Sequence, residues 1–331
     1  MRVCIRCVLD ERFPGIGFDE SGECSFCRTY RGRQDTPGEA ERRTEQKFLE
    51  LVETHRGRAG FDAVLAYSGG KDSTYTMVLL RQQFGMRVLA LTMDNWFLAD
   101  QARENIATLV KATGVAHLTM RPQFETFRRV VRESAGGDLY SLKAMQRSSA
   151  VCTSCISIIR AWCLQTAIEK EIPFVVFGMS PGQAPLSASI VKTNPGMIRL
   201  MQDTVLRPLR ECAGDGIAPY FLSEAHLAKG EQFPFIVNPL AFLPYHEENI
   251  LHTISQLGWE RPADTDPNST NCLLNTYANH HHKLRYGINP YAYEIAGLVR
   301  CSVISRDEGL RRLAEEGDSE LLRRVEKEIE A

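Results

Sequence analysis

Short apolar runs alternate with amphipathic stretches through the first half of the chain. Runs rich in Val and Leu are typical of buried strands, whereas apolar positions three and four residues apart are typical of helices. We therefore predict strands at residues 61–67, 88–93, 115–120 and 174–177. Helices are predicted at residues 41–55, 74–84, 99–113, 124–134 and 158–170. This alternation predicts an α/β fold, a doubly wound parallel sheet with helices on both faces.

The most informative motif follows the first predicted strand. Residues 67–73 read Tyr-Ser-Gly-Gly-Lys-Asp-Ser and lead directly into a predicted helix. The adjacent glycines, Gly69 and Gly70, let the backbone approach an anion closely and take positive φ values. The N–H groups of the first helical turn would face the bound oxygens, and Ser68, Lys71 and Ser73 would add side-chain donors. The motif therefore predicts a phosphate site.

This motif differs from the Walker A pattern, Gly-x-x-x-x-Gly-Lys-Ser/Thr. It resembles instead the PP-loop of the N-type ATP pyrophosphatases. The resemblance implies that the chain binds ATP with Mg²⁺, cleaves it between the α- and β-phosphates and adenylates a substrate. In such a site Lys71 would stabilise charge on the departing phosphates, and Asp72 would bind Mg²⁺ or only cap the turn.

Parallel sheets of this kind bind ligands beyond the carboxyl ends of their strands. We therefore expect residues 68–73, 93–95 and 178–183 to border one crevice. Asp94, just past the second strand, could accept from the ribose or adenine of the nucleotide or serve as an ordinary capping carboxylate. Gly178 would let the backbone close on the ligand, with a simple loop as the alternative.

Four cysteines near the N-terminus have the spacing of a metal site. Cys4 and Cys7 form one Cys-x-x-Cys pair, and Cys24 and Cys27 form a second after sixteen intervening residues. This spacing is close to that of four-thiolate zinc sites, in which the ion is fully coordinated and organises a small lobe. An iron–sulfur cluster at the same thiolates is the alternative.

Length, composition and charge bound the organisation of the chain. It has 331 residues, of which 44% are hydrophobic, and a net charge of −2. That size suits one large domain with one or two small ones, and the charge gives no global positive field. We predict a zinc ribbon at residues 1–36, a PP-loop ATP pyrophosphatase domain at 37–245 and a helical region at 246–331. We see no signal peptide and no apolar run long enough for a membrane helix, so we expect a cytoplasmic protein.

A second cysteine group lies later in the chain. Cys152 and Cys155 stand at the start of a predicted helix, whose positive end could hold two thiolates. Cys272, more than a hundred residues further on, is the third candidate. A 4Fe-4S cluster held by three cysteines leaves one iron open to bind a sulfur atom. The alternative is a redox or chance Cys-x-x-Cys pair, with Cys272 a small buried residue.

The N-terminal cysteine motif, followed by the PP-loop, resembles the N-acetyl sugar amidotransferases of bacterial surface-polysaccharide synthesis. Residues 272–287 and 304–308 are similar to the C-terminal region of those enzymes. This resemblance covers most of the chain. It implies transfer of ammonia, delivered by a glutaminase partner, onto an activated sugar.

The pair Cys152 and Cys155 is not expected in those amidotransferases. It looks like the cluster-binding pair of the iron–sulfur-dependent tRNA thiolation enzymes, which also combine zinc knuckles, a PP-loop and a third cysteine. Those enzymes typically carry a second C-terminal zinc ribbon, which Cys272 and Cys301 cannot form, so a tRNA substrate is in doubt. The consecutive histidines at residues 280–282 are expected to be a surface run.

These patterns lead to a hypothesis with two half-reactions. ATP first adenylates a substrate oxygen, and sulfur from a cluster at Cys152, Cys155 and Cys272 then displaces AMP. The substrate would be a small molecule or a nucleobase, and a sulfur donor would be the partner. Ammonia from a glutaminase subunit is the alternative nucleophile, and a regulatory nucleotide-binding protein without turnover is the third hypothesis. We expect no membrane partner, and a homodimer is left open.

Overall fold

The computed structural model describes residues 1–31, 38–229 and 233–331. Within these residues one sheet contains six strands: β1 (Ala63–Ala66), β2 (Val88–Met93), β3 (Ala116–Met120), β4 (Phe174–Phe177), β5 (Ile190–Lys192) and β6 (Phe235–Val237). Their order across the sheet is β3-β2-β1-β4-β6-β5, and the pairs among the first five strands of that order are parallel. The predicted α/β class with a parallel-dominated sheet is confirmed.

Strands β5 and β6 were not predicted, and β5, at the edge, runs antiparallel to β6. Each has three residues, too short an apolar run to be told from a loop in the sequence. The four predicted strands form the other part of the sheet together with β6. Their carboxyl ends all lie at one edge, because parallel strands point the same way.

The helices of the described residues surround the sheet or follow it in the chain. In chain order they are α1 (Ser25–Arg31), α2 (Glu39–His55), α3 (Lys71–Val78), α4 (Asp100–Thr113), α5 (Phe124–Gly136), α6 (Leu142–Met145), α7 (Ala150–Glu169), α8 (Pro195–Ala213), α9 (Glu224–Leu227), α10 (Glu247–Ser255), α11 (Leu274–Tyr286), α12 (Ala292–Arg300), α13 (Arg306–Ala314) and α14 (Ser319–Glu330). A π-helical turn, Leu79–Gln83, continues α3. Helices α10 to α14 lie in the C-terminal part of the chain, so the predicted helical C-terminal region is confirmed.

Two hydrophobic cores cover the two faces of the sheet. Val64 of β1 points into a core with α5, α7 and α8, whereas Leu65 points into a core with α2, α3 and α10. Successive residues of a strand face opposite sides, so a strand buried on both faces reads as the continuous apolar run seen in the sequence. This packing fixes the loop after β1, which carries the predicted phosphate site.

Helix α7 begins earlier than the prediction of 158–170. The Ser149 side chain caps it by accepting from the Cys152 N–H at 3.1 Å, so Cys152 and Cys155 lie within its first two turns. This helix is long and apolar enough by composition to cross a membrane, and half of that stretch is buried inside the protein. Polar residues interrupt its apolar positions, so the sequence shows no continuous apolar run there. Contacts with β1, β4, α5 and α11 account for its composition.

The N-terminal cysteine segment packs on the C-terminal helices. Its four cysteines share a hydrophobic cluster with Ile288, Ala292, Ile295 and Ala296, so α12 forms the floor of this lobe. The domain boundaries remain predictions, and the boundary at residue 36 falls within residues 32–37, outside the described part of the chain.

Candidate functional site

The loop after β1 turns sharply at a single glycine. Gly69 has φ +76°, and a Cβ there would lie 2.8 Å from Ile106 Cγ1 and 2.9 Å from the Ala102 carbonyl oxygen. Gly70 has φ −75°, so the expectation of positive φ at both glycines is wrong for the second one. A Cβ at Gly70 would instead lie 2.9 Å from Thr270 Oγ1. Both positions therefore need glycine, but for different reasons.

Hydroxyl groups hold this loop in place. The Ser68 N–H donates to Ser73 Oγ at 3.3 Å, and the two serine hydroxyls lie 3.1 Å apart. The Gly70 N–H donates to Ser68 Oγ at 3.3 Å. The Lys71 N–H at the start of α3 donates to Thr270 Oγ1 at 3.1 Å. Hydroxyl oxygens thus accept from backbone N–H groups of the loop that the sequence predicts to bind phosphate.

Lys71 stands in a network of acidic and phenolic groups. Its Nζ lies 2.9 Å from Asp72 Oδ1, 2.7 Å from Tyr245 Oη and 3.4 Å from Glu247 Oε1. Burial alone would lower the pKa of Lys71, but the carboxylates of Asp72 and Glu247 outweigh it and raise that pKa. The lysine is therefore a fixed cation at the start of α3.

Arg312 of α13 completes this network. Its guanidinium donates to both oxygens of Glu247, at 2.6 and 3.3 Å. Burial raises the pKa of Glu247, and the opposing effects of Arg312 and Lys71 bring it below its usual value. Glu247 is thus an ionised carboxylate shared between two cations.

Glu294 of α12 is a further carboxylate of the same crevice. It accepts from Ser180 Oγ at 2.8 Å, and in the described residues it forms no ion pair. Burial, reinforced by the nearby Asp72 charge, raises its pKa to about 7. Glu294 can therefore gain or lose a proton near neutral pH, as general acids and bases must.

Residues 178–183, after β4, pack tightly against this site. A Cβ at Gly178 would lie 2.7 Å from Ser73 Cα, so the role found for Gly178 is close packing on the start of α3. A Cβ at Gly182 would lie 2.2 Å from the Glu294 carbonyl oxygen, which brings the loop directly onto α12. This contact places Ser180 beside Glu294.

Asp94 lies after β2, as predicted, and is already paired. Its carboxylate accepts from Arg121 Nε at 3.0 Å, from the Trp96 N–H at 3.1 Å and from Arg103. Burial raises its pKa, but the two guanidinium groups outweigh that effect and lower it. These contacts favour the structural alternative for Asp94 over direct contact with a nucleotide.

Cys272 lies in a segment that contacts the loop after β1. Residues 271–273 pair with the segment after β2: the Ala99 N–H donates to the Asn271 carbonyl oxygen at 3.0 Å, and the Leu273 N–H to that of Phe97 at 2.8 Å. Thr270, two residues before Cys272, contacts the Lys71 N–H. The third candidate cysteine is therefore two residues from a contact with the start of α3.

The three candidate cysteines share one neighbourhood. Cys152 Sγ lies 3.2 Å from Asn275 Oδ1, and Asn95 Nδ2 donates to Cys272 Sγ at 3.3 Å. Burial, with the charge of Cys272 as a further cause, raises the pKa of Cys152 to about 12, and the pKa of Cys155 also rises. Burial therefore opposes the thiolate form that the start of the helix would favour. A metal centre would deprotonate these thiols by coordination.

The N-terminal cysteines converge far more tightly. In the described part of the chain, Cys4, Cys7, Cys24 and Cys27 are the one group of three or more Cys, His, Asp or Glu residues whose ligand atoms lie within 4.8 Å of one another. All four are buried, and the Arg6 and Cys24 N–H groups donate to Cys4 Sγ at 3.4 and 3.3 Å. Such a compact thiol set fits a single tetrahedral ion. Cys152, Cys155 and Cys272 do not form such a compact group, and in a 4Fe-4S cluster each cysteine binds a different iron.

The residues that surround Lys71 were not predicted. Tyr245, Glu247, Glu294 and Arg312 come from segments 170 or more residues after the loop and belong to no motif. The expectation of a surface histidine run is wrong for His282, which is 3% exposed and packs against the Tyr286 ring. Periodicity with Leu274 and Ala278 could have indicated its buried side.

The chain has a parallel-dominated α/β sheet whose first strand opens into a Ser-Gly-Gly-Lys-Asp-Ser loop at a helix start. This architecture agrees with the one implied by the resemblance to the PP-loop ATP pyrophosphatases. No family model matches the chain.

Two curated proteins are similar in sequence. The uncharacterized protein MJ1599 of Methanocaldococcus jannaschii is 22% identical over 253 residues, which are 76% of this chain and 72% of that protein. A glutamine-hydrolyzing GMP synthase of Pyrobaculum aerophilum is 38% identical over 74 residues, which are 22% of this chain and 15% of that protein. The second similarity therefore concerns one segment of a much longer enzyme.

Three solved structures are similar in shape. The U34-tRNA thiolase NcsA of Methanococcus maripaludis, solved with its 4Fe-4S cluster, has a TM-score of 0.36 and 14% identity, covering 96% of this chain and 90% of its own. NMN synthetase of Francisella tularensis has a TM-score of 0.42 and 11% identity, covering 89% and 97%. A predicted tRNA methyltransferase subunit of M. jannaschii has a TM-score of 0.33 and 15% identity, covering 70% and 91%.

Proposed function

We propose that the chain is an ATP-dependent transferase that adenylates a substrate oxygen, releases pyrophosphate and then replaces the activated oxygen with sulfur. The observation that carries this proposal is the position of Cys272. Its segment touches the PP-loop through Thr270, and this contact supports a shared site for the thiol group and the phosphates. Two half-reactions on one substrate carbon need such proximity, because the adenylated intermediate must meet its nucleophile before water does.

The chain's own side chains would divide the work of the first half-reaction. Lys71 and the N–H groups at the start of α3 would hold the phosphates of ATP, whose Mg²⁺ would find oxygen ligands at Asp72. Binding requires the Lys71 ammonium to exchange part of its contact with Asp72 and Glu247 for phosphate oxygens. Glu294 would hold or release a proton beside the reacting groups.

For the second half-reaction, Cys152, Cys155 and Cys272 would hold a 4Fe-4S cluster, which when bound supplies sulfur at its open iron. The Asn95 amide, which donates to Cys272 Sγ, would orient that ligand. The four N-terminal cysteines would hold zinc and organise their lobe without taking part in chemistry. A small molecule or nucleobase would be the substrate, and a sulfur donor would be the partner.

The alternative keeps the first half-reaction and uses ammonia as the nucleophile. It is favoured by the resemblance of the N-terminal motif to sugar amidotransferases and by the segment similar to a glutamine-hydrolyzing synthase. A glutaminase subunit would then be the partner. The substrate would then be an N-acetyl sugar nucleotide.

The test follows the fate of ATP by ³¹P NMR. Anaerobically purified chain is incubated with ATP·Mg²⁺ and a low-mass metabolite extract, with sodium sulfide or ammonium chloride as the added nucleophile, and in a second series with small RNA. AMP and pyrophosphate that accumulate with sulfide support thiolation.

The other outcomes are equally specific. Dependence on ammonium with iron-free protein would replace the sulfur proposal by the amidotransferase. ADP and orthophosphate would contradict the whole PP-loop assignment. Tight binding of ATP without turnover in any mixture would favour the regulatory protein.

A further inference from the structure

Helix α13 connects the four-cysteine lobe to the PP-loop lysine. At its first residue, Arg306 Nε donates to the carbonyl oxygens of Cys4 and Cys7, at 3.0 and 3.1 Å. Six residues later, Arg312 holds both oxygens of Glu247. Glu247 in turn lies 3.4 Å from Lys71 Nζ. The contacts form one continuous series from the cysteine knuckle to the predicted phosphate site.

The middle of α13 is also in close contact with the lobe. A Cβ at Gly309 would lie 2.9 Å from Val8 Cγ1 of the lobe and 2.9 Å from Val299 Cγ2 of α12. The helix is therefore held at Arg306 and Gly309 on one side, which leaves it little freedom to slide. Because a helix is rigid over two turns, these contacts fix the position of Arg312 relative to Glu247.

The charges show what Arg312 does for Lys71. Glu247 is a partly buried carboxylate with two cationic neighbours in the described structure, and the bidentate contact belongs to Arg312. Such a fork is stronger and more directional than a single ammonium contact. Without Arg312, the charge of Glu247 would be balanced by Lys71 alone. The ammonium would then be drawn toward Glu247 and away from phosphate oxygens.

We propose that Arg312 is a positioning residue for Lys71, and that helix α13 uses the four-cysteine lobe as the fixed point from which Arg312 acts. The proposal rests on the assignment of Lys71 to the β- and γ-phosphates of ATP. It gives the N-terminal lobe a role in nucleotide binding although none of its cysteines reaches the PP-loop. It also assigns Arg306 the task of holding α13 in register.

The test compares the affinities for ATP·Mg²⁺ and AMP, measured by calorimetry on the full chain. AMP lacks the phosphates that Lys71 would hold. Loss of Lys71 positioning should therefore weaken the binding of ATP but not the binding of AMP. For Arg312→Ala we expect ATP to bind about tenfold more weakly, the scale of one charged hydrogen bond, with AMP unchanged. Arg312→Lys keeps the charge without the fork and should give an intermediate ATP affinity.

Two further variants separate positioning from general damage. Arg323→Ala removes an exposed arginine of α14, outside this network, and it should bind ATP as the wild type does. The double variant Lys71→Ala/Arg312→Ala should bind ATP no more weakly than Lys71→Ala, since the arginine would act only through the lysine.

The role of the lobe is tested by the same comparison of ATP and AMP affinities. Arg306→Ala, and separately chelation of the metal from the wild type, should each weaken ATP relative to AMP. Chelation should add little in Arg306→Ala. Equal weakening of ATP and AMP in Arg312→Ala, or unchanged affinity for both in it and in Arg312→Lys, would overturn the positioning role. A wild type that binds no ATP would instead contradict the proposed function itself.

Discussion

The Lys71 ammonium nitrogen lies 2.7 Å from the Tyr245 hydroxyl oxygen, which itself donates to Asp72 Oδ1 at 2.8 Å. Burial, together with the negative charges of Asp72 and Glu247, raises the pKa of Tyr245 well above its ordinary value, so the phenol keeps its proton. A neutral phenol that accepts from the lysine and donates to the carboxylate holds both groups in one orientation. The cation is thus placed before any nucleotide arrives.

Lys71→Ala removes the cation that would face the departing phosphates. We expect the adenylation rate to fall at least ~100-fold, because a cation of this kind contributes a few kcal/mol to the transition state. Pyrophosphate release, measured by ³¹P NMR, is the readout. The exposed Lys111→Ala on α4 is the control and should leave the rate unchanged. A Lys71→Ala protein as fast as the wild type would exclude Lys71 from the site.

Gly69→Ala tests the turn of the PP-loop. The substitution combines a positive φ with a Cβ 2.8 Å from Ile106 Cγ1, so we expect the free energy of unfolding to fall by roughly 3 kcal/mol or more. Gly114→Ala is the matched control, because φ there is +64° with no atom near the new Cβ. It should cost about 1–2 kcal/mol. Equal losses in urea unfolding would show that the close contact at Gly69 is unimportant.

Glu294→Gln tests the buried carboxyl beside Ser180. Burial raises the pKa of Glu294 from 4.5 to about 7, so between these values the folded protein binds more protons than the unfolded chain. Its contribution to stability is therefore complete at low pH and is lost as pH rises toward 7. The variant cannot titrate, and its unfolding free energy should exceed that of the wild type increasingly as pH rises.

The control for this prediction is Glu104→Gln, at an exposed position on α4, which should follow the wild-type dependence. Urea unfolding at pH values from 5 to 8 supplies the measurement. If the unfolding free energies of Glu294→Gln and the wild type change with pH in the same way, the carboxyl does not titrate in this range and is not a candidate proton carrier.

Cys7→Ser tests the N-terminal metal site. Four convergent buried thiols fit a tetrahedral zinc ion, whose binding contributes to folding of such a lobe. The variant should lose its zinc, measured by mass spectrometry of the metal, and should unfold at a lower temperature. Cys212→Ser, at a half-buried position on α8, should keep both zinc and stability. One zinc per chain in Cys7→Ser would show that the zinc is bound at another site.

The sheet and the loop could be predicted because each depends on local sequence. Strands such as β1 are buried on both faces, and the turn at Gly69 depends on neighbouring residues. The partners of Lys71 could not be predicted, since Tyr245 and Arg312 meet it only after the C-terminal helices pack. No local sequence motif predicts these long-range contacts.

Asp94 illustrates a different limit. Its place after β2 was predicted correctly, but its function depends on Arg103 and Arg121, which the sequence gives no reason to pair with it. Two guanidinium groups around one buried carboxylate satisfy it, and so leave it less able to bind a ligand. Position along the chain is thus easier to predict than protonation and partners.

The most direct test of the proposed chemistry is metal and sulfide analysis of anaerobically purified protein. If Cys152, Cys155 and Cys272 hold a single cubane cluster, the wild type should be brown and contain about four irons per chain in addition to zinc. Cys272→Ala should lose the iron and keep the zinc, and Cys163→Ala, in the core beside them, should keep both. Colourless, iron-free wild-type protein that turns over ATP with ammonia would contradict the sulfur-transfer proposal.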